Sequence, residues 1–114
     1  MRIVLLPTPE GDVIAREDQL GRWEADFVVA PDGRVFYRHP GDRPWVAGPT
    51  VAAFREAAVA WNRYCNEVVA GDTEEEQLEA VARLRTELLR IGVLSAHSDN
   101  LWMSLVEQAR DGLI

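Results

Sequence analysis

The chain has 114 residues and a net charge of −7, set by 12 Arg, no Lys and 19 acidic residues. That length suits one domain with a modest core, and 47% hydrophobic residues with four Trp exclude a disordered chain. No run of about 18 apolar residues is present to cross a membrane, and an acidic surface repels nucleic acid and anionic lipid while steering towards basic partners.

Residues 2–7, RIVLLP, are β-rich, and the turn residues of 8–12 lead to a second strand at 13–16. Residues 27–38, FVVAPDGRVFYR, read as a hairpin. Pro31 presets a type I turn, Asp32 tolerates the next position, and Gly33 accepts the left-handed conformation of a three-residue loop. Residues 39–49 hold three Pro and two Gly, which makes them a loop with a short edge strand at 45–47. The hydrophobic period then changes from 2 to 3.6. Val51, Phe54, Ala58, Trp61, Cys65 and Val68 share one stripe, with Thr50 as N-cap and Gly71 as stop. Thr73 and Glu76 form a capping box for a second helix. Its stripe runs through Leu78, Val81, Leu84 or Arg85, Leu88 and Ile91 to a stop at Gly92. Trp102, Leu105, Val106, Ala109 and Leu113 mark a third helix, capped by Ser98 or Asp99. Strands followed by three helices define an α+β fold, a small antiparallel sheet packed against three C-terminal helices in one domain.

The stretch LSAHSDNLW (94–102) holds Ser95, His97 and Asp99 at strand spacing. A hydrolytic triad needs direct contact between nucleophile and base and a separate oxyanion hole. Such sites gather residues from distant parts of a chain, and no G-x-S-x-G elbow is present. The stretch therefore reads as a helix start, and the chain as a non-enzyme. The two His lie at positions 39 and 97, and neither C-x-x-C nor H-E-x-x-H occurs, so no metal is expected. No cofactor is expected either, because glycine-rich phosphate loops are absent. Cys65 shares a stripe with Trp61 and Val68 and reads as an inert core thiol. A single cysteine excludes an internal disulfide framework, and MRIVLLPTPEGD lacks a signal-peptide pattern, so a cytoplasmic protein is expected.

Two surface segments remain as partner-binding candidates. One is the loop HPGDRPW with Asp42, Arg43 and Trp45, whose composition resembles an interface; Trp45 is either an anchor for a partner or a lid on the core. The other is Glu74, Glu75 and Glu76, which suit the positive end of a helix and equally form an acidic patch for a basic partner.

Residues 27–114 resemble the SUKH superfamily of bacterial immunity proteins, most closely its fourth subfamily. Gly33, Val35 and Tyr37, then Gly48-Pro49-Thr50 and Phe54, are similar to that family's passage from strand to helix. Residues 74–92 resemble its charged helix, and residues 99–114, with Trp102, Leu105, Val106 and Gly112-Leu113, its closing helix. The resemblance implies a non-enzymatic cytoplasmic protein that binds and neutralises a toxin of nuclease or deaminase type. Related sequences carry helical structure ahead of the sheet, whereas here a strand begins at residue 2. The resemblance thus implies a sheet face left uncovered, which a homodimer or pairing with another chain would bury. Two other classes compete with this reading: an adaptor or regulatory domain with a partner unrelated to toxins, and a small-molecule-binding protein or enzyme.

Overall fold

The computed structural model describes residues 1–19, 22–70, 73–95 and 99–111. Among these residues five strands form one antiparallel meander in chain order: β1 (Arg2–Glu10), β2 (Val13–Gln19), β3 (Arg22–Val29), β4 (Val35–Arg38) and β5 (Trp45–Gly48). Three helices follow, α1 (Val51–Ala70), α2 (Glu74–Ile91) and α3 (Leu101–Arg110). The α+β architecture is the one the sequence implies.

The hairpin at residues 30–34 forms as its turn chemistry dictates. Ala30 N–H donates to Arg34 O at 2.8 Å, Gly33 N–H donates to Ala30 O at 2.9 Å, and Gly33 has φ 89°. Three strands run well beyond the sequence signals, and β1 continues to Glu10 through Thr8 and Pro9, which read as turn residues. β2 continues past Arg16 to Gln19, an extension masked in the sequence because buried Glu17, only 5% exposed, interrupts the apolar alternation by which a strand is read. β3 begins at Arg22, ahead of the hairpin flank at residue 27.

Side chains of alternating residues build two different faces. On the helix side, Ile3, Ala15, Ala25, Phe27, Val35 and Ala47 are buried and join Phe54, Trp61, Leu84, Leu88, Trp102 and Leu105 in one core. Phe27, Phe54, Trp102 and Trp61 form a chain of ring contacts with centroids 4.8–6.5 Å apart. The opposite face carries Val4, Arg16, Asp26 and Arg38 in register across four strands. Asp26 pairs with Arg16 at 3.5 Å and with Arg38 at 3.4 Å, and Arg16 also pairs with Glu10. Beside this charged row lie half-buried Val28, Phe36 and Val46. The uncovered face is therefore half ionic, not the continuous apolar surface that a lost layer would expose.

Each sheet edge is tied at one point to a segment on the helical side. Ile3 of β1 donates its N–H to Asn62 Oδ1 at 3.0 Å and accepts from Asn62 Nδ2 at 2.8 Å, so one side chain of α1 substitutes for a neighbouring strand. Trp61 Nε1 donates to Met1 O at 2.9 Å beside it. Further along β1, Pro7 and Pro9 have no N–H to offer a foreign strand. On the other edge, Val46 N–H of β5 donates to Asp99 O at 2.7 Å, and Val46 makes a parallel bridge with Asn100.

Helix ends follow their caps. Thr50 Oγ1 accepts from Ala53 N–H, and Thr73 Oγ1 from Glu76 N–H, each at 3.1 Å. Gly92, at φ 89°, ends α2 with its own N–H on Leu88 O and Leu89 O, and Val93 N–H returns to Leu88 O at 3.3 Å. The cap of α3 is Asn100, not Ser98 or Asp99: its Oδ1 accepts from Met103 N–H at 2.9 Å while Nδ2 donates to Val93 O at 2.8 Å. Asn suits the position because one amide both accepts and donates. Leu78, placed on the α2 stripe by spacing, is 46% exposed, and Ala80 is buried in its stead. That shift follows from α2 meeting α1 and α3 in preference to the sheet. Gly71, His97, Ser98, Gly112 and Leu113 lie outside the described residues.

Replacing Asn100 by Ala removes a cap and strands the Val93 carbonyl. The expected loss of unfolding free energy is about 3 kcal/mol, read as a lower urea midpoint with an unchanged slope. A loss under about 0.5 kcal/mol, the scatter of ordinary surface changes, would show that this joint is not used.

Candidate functional site

Asp42, Arg43 and Trp45 sit on the β4–β5 connection. His39 to Asp42 form a type II turn: Pro40 supplies the fixed φ, Gly41 takes φ 86°, and Asp42 N–H donates to His39 O at 3.1 Å. His39 Nδ1 lies 3.3 Å from an Asp42 carboxylate oxygen and 3.0 Å from Pro40 O. Trp45 opens β5 opposite Tyr37. Its indole is half-buried against the core cluster, so it serves as a lid while keeping an exposed surface.

This connection meets the segment ahead of α3. Gly41, Asp42, Arg43, Pro44, Trp45 and Asp99 line an open hollow of about 590 Å³. The bond from Val46 N–H to Asp99 O holds the two segments together. Asp99, considered above only as a helix cap or a triad acid, thus belongs with the loop candidates. Nothing in the sequence spacing pairs it with Trp45, because their proximity arises from a strand-edge bridge across 54 positions.

Glu74, Glu75 and Glu76 are exposed in the first turn of α2, on a different element from the hollow. Negative charge there complements the helix N-terminus. Arg83 pairs with Glu67 at 3.1 Å across the α1–α2 groove, and Arg90 with Glu87 at 2.5 Å near the end of α2. The Arg90 guanidinium donates to Glu87 and holds its carboxyl below the usual range.

The buried Glu17 was not legible as a special residue. Its carboxylate accepts from Tyr37 OH at 2.5 Å, reaching across small Ala25 on the intervening strand. Tyr37 in turn packs on Phe27 and stacks on His39. The acid is only 5% exposed and its partner is a phenol, so this pair is built as an internal tie between β2 and β4.

The triad suggested by Ser95, His97 and Asp99 has its His outside the described residues. Asp99 points its backbone carbonyl to β5 and its residue lines the hollow. Among the described residues no group of three His, Cys, Asp or Glu could hold a metal ion. Comparison of the chain with protein-family models, with curated proteins and with solved structures gave no match. The class defined by fold and site is a small α+β domain with a helix-covered sheet and an acidic, tryptophan-lined hollow.

Cys65 is half-buried and its Sγ donates to Met1 O at 3.3 Å. Burial pushes the thiol up, outweighing the N-terminal ammonium and Arg2, and burial raises the neighbouring Tyr64 phenol too. A group raised in the fold stabilises it fully below the unfolded value, about 8.5 for a thiol, and loses that contribution as pH climbs through the folded value. The urea midpoint should therefore fall above about pH 9, and less steeply in Cys65→Ala. Parallel curves for the two proteins would contradict a thiol held neutral by burial.

Proposed function

We propose that the protein is a non-enzymatic binding module, a cytoplasmic immunity protein of the SUKH kind that captures and neutralises a basic toxin domain of nuclease or deaminase type. The observation that carries this reading is the hollow at the β4–β5 turn. It brings an aromatic, two carboxylates and a guanidinium together at the edge of the sheet, which is the composition of an interface anchor and not of a catalytic constellation. The net charge of −7 supports a basic partner through electrostatic steering. The residue patterns at 33–64, 74–92 and 99–114 support the family. The absence, among the described residues, of a helix long and apolar enough to cross a membrane is compatible with action in the cytoplasm.

Affinity capture of the tagged protein from its host lysate tests the reading. One stoichiometric basic toxin domain, inhibited on binding, is the expected result. Its association rate should fall about tenfold or more as salt rises from roughly 50 to 500 mM. Asp42→Ala with Arg43→Ala should weaken capture about tenfold, a change of about 1.4 kcal/mol, with an unchanged unfolding midpoint. A partner with no toxic activity, or capture indifferent to salt and to these changes, would overturn it.

A further inference from the structure

We infer that the hollow between the β4–β5 turn and the segment before α3 seats the guanidinium of an arginine side chain from a protein partner. The inference deepens the binding reading above and rests on it for the partner. The recognition chemistry stands on the hollow itself.

Three groups define that chemistry. Trp45, half-buried, lines the hollow, and an indole is the strongest side-chain partner for a cation over a ring face. Asp42 lines it from the His39–Asp42 turn, with its carboxylate 3.3 Å from the His39 imidazole. Asp99 lines it from the segment before α3, its carbonyl held on Val46 N–H at 2.7 Å. A planar guanidinium stacks its face on indole and donates from its edges to carboxylates at the same time. A lysine ammonium is a point charge and cannot do both as well. Among the described residues of the lining, two carboxylates stand against the one guanidinium of Arg43, a negative formal balance. The volume of about 590 Å³ lies within the range of roughly 300–1,000 Å³ typical of ligand sites. The acidic turn at Glu74–Glu76 is exposed and lies on a different element, which makes it an internal control.

The test is a titration with the blocked peptide Gly-Gly-Arg-Gly-Gly, followed in ¹H–¹⁵N spectra. The Trp45 Nε1–H signal is assigned with Trp45→Phe. The arginine peptide should move that signal and the amides of residues 41–45 and 99. The citrulline peptide, equal in shape but uncharged, should bind about tenfold more weakly, and the lysine peptide should fall between. Asp42→Asn combined with Asp99→Asn keeps side-chain shape and should lower arginine affinity about fivefold or more. Equal responses to arginine and citrulline, shifts concentrated at residues 74–76, or indifference to the Asn pair would each overturn the inference. Capture of a partner by a protein whose hollow ignores arginine would remove this inference and keep the binding reading. Arginine recognition by a protein that captures nothing would do the reverse.

Discussion

One buried amide, Asn100, ties α2, α3 and the β5 edge of the sheet together. Its side chain, on a residue 3% exposed, caps α3 through Met103 N–H and holds the Val93 carbonyl just past the end of α2. Its backbone bridges to Val46 at the free edge of β5. Two residues on, Trp102 donates its indole N–H to Ala47 O at 2.6 Å. A polar group this deep is costly unless every bond is made, and here each of its bonds fixes a different element. Sheet, α2 and α3 therefore meet at one residue, and Asp99 beside it is carried to the wall of the hollow.

The antiparallel meander imposes a second constraint, two strand edges that would otherwise recruit other chains. Asn62 ties down one by pairing with both backbone groups of Ile3, and the Asp99–Asn100 segment ties down the other at Val46. The face away from the helices is managed by charge. The Arg16–Asp26–Arg38 row makes cross-strand pairs that are at ease in water, next to a narrower apolar row at Val28, Phe36 and Val46. Exposed pairs of this kind contribute little stability each. Their consequence is that the face is acceptable to solvent, which leaves the sheet end near β5 as the proposed binding surface.

Local chemistry was legible where it is self-contained. Pro31-Asp32-Gly33, the Thr50 and Thr73 caps and the Gly92 stop each act through neighbours within four residues, so sequence spacing carries them. The α+β order followed from the change of hydrophobic period after Pro49. What was hidden depends on long-range pairing. Glu17 faces inwards because Tyr37, 20 positions on, donates to it. Asn100 takes the cap that the adjoining polar residues Ser98 and Asp99 offered in the sequence because its other groups meet Val93 and β5. Leu78 is exposed because the contacts of α2 are set by two helices, not by its own stripe. Of the candidate site, Asp42, Arg43 and Trp45 were visible as an oddly aromatic loop, while Asp99 joined them only through a bridge across the strand edge.

The central claim is that the joint made by Asn100 presents the sheet end at β5 as the binding surface. Amide hydrogen exchange on the protein alone and in complex with its captured partner tests it most directly. The account requires new protection at residues 41–46 and 99–100, with the charged sheet face and the first turn of α2 unchanged. Protection confined to the strands around Asp26 and Phe36, or to residues 74–76, would contradict it.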